Sequence, residues 1–281
     1  MRLVAFALVT LSLAAPSAVT PVELGAGYLT TRHQADGGFA EPGGSSDPTL
    51  TAWVVLGLKA AGRDPGGLRR GAASPADYLA GKATRTTSEL ALRVLALDAL
   101  GEDVSEHADR LARARRADGR IGPLVNSTIW GVIALRAAGR PAPAASIRYL
   151  LRRQLRSGGW SWSPRGAPDS NDTAAAIQAL SAAGVRGGAT RRGLAYLRTL
   201  QNRDGGFALT AGRSSDAQST AWAIQAFVAA GAGAPAKAVR YLVRLRQPLD
   251  SFRYSHRRAI TPAWVTAMVL PALAGKPFPL E

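Results

Sequence analysis

The sequence contains no cysteine, which excludes disulfides and thiolate metal ligation and leaves burial alone to hold a core together. Lysine is nearly missing. Only Lys59, Lys82, Lys237 and Lys276 occur among 35 basic residues, so the formal net charge of +16 is mostly an arginine charge. Three histidines, His33, His107 and His256, have no spacing that makes a metal site, and no DDxxD-like run is present to hold magnesium and a diphosphate. The expectation is therefore no metal and no cofactor. Arginines cluster at Arg113-Arg115-Arg116, Arg152-Arg153-Arg156 and Arg191-Arg192, interleaved with apolar positions as on a solvated helix face. Without base-stacking aromatics among them, they do not point to a nucleic acid. A fourth cluster, Arg253-Arg257-Arg258 beside His256, falls in a loop where an anion could sit.

Long apolar runs are also scarce, and a membrane-spanning helix needs about 18 or more such residues. Leu3 to Ala15 is apolar and follows Met1-Arg2, with small residues continuing to Ala18. This pattern predicts an export signal over 1–18, a mature chain of 19–281, and a location outside the cell or in its envelope.

What the chain has in quantity is repetition. Tyr28-Leu29, Tyr149-Leu150, Tyr196-Leu197 and Tyr241-Leu242 are each followed 11 positions later by an aromatic: Phe39, Trp160, Phe207 and Phe252. Arg110-Leu111 precedes Ile121 at the same spacing, and a copy starting at Tyr78-Leu79 lacks the turn with its glycine and aromatic. Each of these six units continues into an apolar segment that stops at a glycine: Gly62, Gly101, Gly139, Gly184, Gly231 and Gly275, in steps of 39, 38, 45, 47 and 44 residues. A period of that length describes a two-helix unit that buries its apolar face only by stacking on its neighbours.

The two helices differ in character. Thr20-Pro21-Val22-Glu23 and Ser74-Pro75-Ala76-Asp77 are start signals for the first helix, with an N-cap hydroxyl, proline at the first helical position and an acid at the third. The second helices, such as Thr51-Ala52-Trp53-Val54-Val55-Leu56 and Thr220-Ala221-Trp222-Ala223-Ile224, are apolar on nearly every side and must be buried. Arginine-bearing helices outside and apolar helices inside would close a toroid around a central cavity. Two features strain this picture: the turn missing from unit two, and Pro262 and Pro271 in unit six, which should kink its helix.

The run Arg192 to Phe207, with Gln201 and Phe207 flanking Gly205-Gly206, resembles the repeat of squalene cyclases and prenyltransferases, and the pattern recurs around Gln34 and Gln154. The resemblance implies an all-α, (α/α)6 toroid of six helical hairpins. Pro168-Asp169-Ser170-Asn171-Asp172-Thr173-Ala174 is similar to the DxDD acid motif of squalene–hopene-type cyclases, in which the third position protonates an alkene. Here that position is Asn171, and an amide has no proton of suitable acidity.

Asp47, Asp169 and Asp216 lie 15 residues before their terminal glycines, where an N-cap belongs. Trp53, Trp130 and Trp222 share one register on the apolar helices, with Trp264 two residues off it, and their π-faces suit either an apolar ligand or interhelical packing. Trp160 and Trp162 are assigned to the packing of their own turn. The absent acid, together with a length well short of two-toroid cyclases, favours an exported, non-catalytic toroid that binds a small apolar ligand or a protein partner in its central cavity. In that reading Trp53, Trp130, Trp222, Trp264 and Asn171 are the ligand contacts. The alternative is a divergent terpene cyclase or prenyltransferase-like enzyme using Asp169 or Asp172.

Overall fold

The computed structural model describes residues 19–280. The export signal expected over 1–18 lies outside the described residues. Six outer helices, α1 (Pro21–Thr30), α3 (Pro75–Ala80), α5 (Ser105–Arg113), α7 (Ala144–Arg152), α9 (Gly188–Thr199) and α11 (Ala236–Arg244), alternate along the chain with six inner ones. The inner set is α2 (Pro48–Ala60), α4 (Thr87–Ala99), α6 (Val125–Ala137), α8 (Ser170–Ala182), α10 (Ala217–Ala229) and α12 (Pro262–Leu273). Each inner helix packs on the next, and α12 packs on α2, which closes the (α/α)6 toroid. At that joint Gly57 lets two backbones approach: a Cβ there would lie 2.9 Å from the Ala267 carbonyl oxygen.

The caps form as the sequence signals them. Thr20 and Ser74 make reciprocal capping boxes with Glu23 and Asp77. Asp47, Asp169 and Asp216 accept the amides of Leu50, Asp172 and Ser219 at 2.7, 2.8 and 2.7 Å, respectively. Pro262 is the first residue of α12, and Pro271 falls in its last turn, so the helix runs on unbroken where a kink was expected.

In five of the six units a threonine ties the inner helix to the turn of its own unit. The backbone N–H groups of Phe39, Trp160, Phe207 and Phe252 donate to the hydroxyls of Thr51, Thr173, Thr220 and Thr266 at 2.8–2.9 Å, and Ile121 does the same to Thr128 at 3.1 Å. Each bond satisfies an amide buried with its side chain. The turn glycines then dock on the following unit. Gly158 and Gly205 take φ of 92° and 90°, and a Cβ on either would press on the backbone of Arg192 or Lys237 in the next outer helix.

In unit two neither the turn nor the threonine exists, and Leu90 stands in the threonine's place. Arg93, three residues on, occupies the register held elsewhere by Val54, Gly131, Ala176, Ala223 and Val269. In unit three the turn's Ile121 crowds that register, where a Cβ on Gly131 would lie 2.9 Å from it. With no such turn above α4, a long side chain fits there.

Around the axis the tryptophans meet one another. Trp53 lies 5.5, 6.0 and 6.4 Å from Trp130, Trp222 and Trp264 between ring centroids, and Phe278 from the C-terminal tail lies 5.9 Å from Trp53. The Phe278 amide is held by Gln178 Oε1 at 2.8 Å. Trp53, Trp130 and Trp222 are only 6–7% exposed, so the expected central cavity is filled by the side chains expected to line it.

Candidate active site

All six inner helices run in one sense, so their N-termini surround a single mouth of the toroid. Three consecutive ones are joined there by side chains: Ser88 Oγ lies 3.4 Å from Asn126 Oδ1, and Asn126 Nδ2 donates to Asp172 Oδ1 at 2.7 Å. Asp172 sits in the first turn of α8 and is 6% exposed. Burial pushes its carboxyl up to about 8, helped by the charge of Asp169 and opposed by the Asn126 bond. Asp169 is raised as well, chiefly by burial and against the pull of the Asp172 amide. Burial raises both carboxyls, and the charge of Asp169 further disfavours ionisation of Asp172, so this pair leans toward holding a proton.

Asn171, the residue in the motif's proton-donor position, is half-buried and makes no comparable contact; its Oδ1 accepts from Ser170 Oγ at 3.2 Å. The structure thus brings Asp169, Asn171 and Asp172 together at one helix start, while the tryptophans lie around the axis. Asp216, the matching cap of α10, is also raised by burial, but it has Ser219 rather than a second acid beside it.

Sequence reasoning missed Asn126 and misplaced Trp162. Asn126 follows the start of α6 as Asn171 follows that of α8, a registry signal that was available. Trp162 packs in no turn: it is 55% exposed, and its carbonyl oxygen accepts the Asn126 amide at 3.2 Å, which sets an indole at the same mouth. Trp160 behaves as expected, fully buried with Nε1 donating to Leu150 O at 2.8 Å. Among the described residues no group of three or more histidines and carboxylates could hold a metal, and no helix is long and apolar enough to cross a membrane.

No family model matches the chain. It is 31% identical over 228 residues to a drimenyl diphosphate synthase of Streptantibioticus cattleyicolor, an alignment covering 64% of this chain and 42% of that protein. The chain thus spans less than half the length of that relative. A type II terpene cyclase from Scytonema superposes with a TM-score of 0.65 at 15% identity, over 90% of this chain and 96% of that one. A glycosidase shares the fold at 13% identity with a TM-score of 0.62, covering 91% of this chain and 95% of that one, so the toroid by itself does not select a reaction.

These likenesses correct the expectation of a non-catalytic binding toroid. The relative in sequence is named as a synthase, and a cyclase from Scytonema is matched over nearly its whole chain by this single toroid, which removes the argument from length. In its substrate complex that cyclase holds geranylgeranyl dihydroxybenzoate. The chain therefore has the (α/α)6 toroid fold that type II terpene cyclases share, and over 64% of its length it is similar in sequence to a drimenyl diphosphate synthase.

Proposed function

We propose that the protein is a type II terpene-cyclase-like enzyme that starts a cyclisation by protonating an alkene of an isoprenoid chain, with Asp172 as the acid. The observation that carries this reading is the buried Asp172 carboxyl, set beside Asp169, which accepts its backbone N–H, and hydrogen-bonded to Asn126. Burial keeps the proton on at neutral pH. When the proton leaves, the Asn126 N–H and the N-terminal dipole of α8 stabilise the carboxylate that forms. The O–H bond of Asp172 breaks as a C–H bond forms at the less substituted alkene carbon, leaving a tertiary cation for an internal alkene to attack. A final proton passes from carbon to water, and Asp172 takes one back from solvent, so the sequence is a net isomerisation. The exposed face of Trp162 offers a π-surface to the cation. Asn171 supports the reading only as a neighbour that carries no charge to compete with the cation.

The test is mass spectrometry of products from squalene, farnesyl diphosphate and geranylgeranyl diphosphate. Conversion of one of these by the wild type and its loss in Asp172→Asn are expected. A folded wild type that leaves all of them unchanged would overturn the assignment. The leader pattern in 1–18 belongs to this proposal as export of the enzyme, which N-terminal sequencing of protein from its source would check.

A further inference from the structure

Arg93 is a charged side chain inside the wall of the toroid without a carboxylate partner. It is 7% exposed; its Nη1 donates to the Lys82 carbonyl, and its Nε is buried with no partner at all. Burial lowers its pKa, reinforced by Arg110 and opposed by Glu89. A guanidinium is an obligate cation, and it is rarely left buried unless an anion or a full set of acceptors meets it.

A cavity of about 400 Å³ opens at this place, lined by Arg93, Lys82, Arg85 and the apolar Leu79 and Leu92. Two carboxylates also line it, and both are committed to backbone amides: Asp47 caps α2 through the Leu50 amide, and Glu89 accepts the Arg85 amide at 2.7 Å. The cavity exists because unit two lacks the turn that fills the same space elsewhere. It is a built departure from the repeat, with the repeat's small residue exchanged for arginine.

We infer that the wall of unit two is an oxyanion site, with Arg93 at its base and Lys82 and Arg85 at its rim, that takes a phosphate or diphosphate group. A guanidinium with an unpartnered Nε–H, beside two further cations, matches the several oxygens of such a group better than the single acceptor of a neutral ligand. Leu79 and Leu92 leave room for a short apolar stem on it. The site is independent of the chemistry assigned to Asp172, which lies on α8, although Ser88, next to Glu89, links the two places through Asn126.

Isothermal titration of the full chain with inorganic phosphate, inorganic diphosphate and farnesyl diphosphate tests this. Wild type is expected to bind diphosphate, with at least a tenfold loss in Arg93→Met. Because Arg93 also fills space, Arg85→Ala serves as a second variant at an exposed position and should weaken binding severalfold. Tighter binding of farnesyl diphosphate than of inorganic diphosphate would identify the group as the head of an isoprenoid; equal binding would identify a free anion. Asp172→Asn should bind as wild type does, which separates this site from the catalytic reading. No binding of any of the three, or binding unaffected by both arginine variants, overturns it.

Discussion

Asn126 Nδ2 donates to Asp172 Oδ1 across the gap between α6 and α8, 46 residues apart in the chain. This is a side-chain bond between neighbouring inner helices at the mouth, and it joins the candidate acid to the fold. An amide N–H favours the charged form of the carboxyl that accepts it. In Asn126→Ala the Asp172 titration should therefore move further up, seen by carbon-13 NMR of the labelled carboxyl, and the basic limb of any activity profile should move with it. A titration that falls or stays in place would break the assigned role.

Stability should depend on pH in a stated direction. Asp172 passes from 3.8 when unfolded to about 8 when folded, so the native state holds the extra proton across that window. The contribution is complete below the unfolded value and is lost as pH rises through the folded one. Asp169 and Asp216 shift the same way, while His33 and His107, lowered by burial, weaken the fold as pH drops below their ordinary value of 6.5. Thermal melting should therefore show Tm declining from about pH 6.5 toward pH 8.5, and Asp172→Asn should flatten that decline.

The threonine ties can be cut one at a time. Thr220→Val keeps the shape but leaves the Phe207 amide buried without its 2.8 Å partner. A loss of about 1–3 kcal/mol is expected in urea unfolding, the cost of an unsatisfied buried donor. At position 90 in unit two, Leu90→Thr should return nothing, because no turn is there to donate.

The axial cluster should be costly to open. Trp53 contacts Trp130, Trp222, Trp264 and Phe278, and Trp53→Ala is expected to destabilise by about 3–5 kcal/mol as a large side chain leaves a packed core. A nearly neutral effect in the same unfolding assay would mean that the tryptophans do not hold the toroid.

Gly158→Ala adds a Cβ 2.5 Å from the Arg192 carbonyl oxygen at a backbone φ of 92°. Both the clash and the left-handed backbone oppose it, so a loss of roughly 1–3 kcal/mol or more is expected. Gly139→Ala, which has φ of 68° but open space around it, should cost less.

The toroid was legible because burial and turn chemistry act locally: a Tyr-Leu pair, a glycine and an aromatic 11 residues on are enough to set one unit. The caps Asp47, Asp169 and Asp216 were legible for the same reason. What escaped was everything that depends on which units face each other. The spacing of Trp53, Trp130 and Trp222 placed them on inner helices but left open whether their faces met a ligand or one another. Phe278, in a tail outside the repeat, took part of the space. Asn126 and Asp172 come from different units, so no local pattern joined them. Arg93 was invisible as a site because its meaning comes from a turn that unit two does not have.

Phe278 and the tryptophans plug the axis of the ring, so the face bearing Asp172 and the opposite face do not communicate through it. The two ends are then chemically separate surfaces, and a change made at one rim can reach the other only through the helices that stand between them.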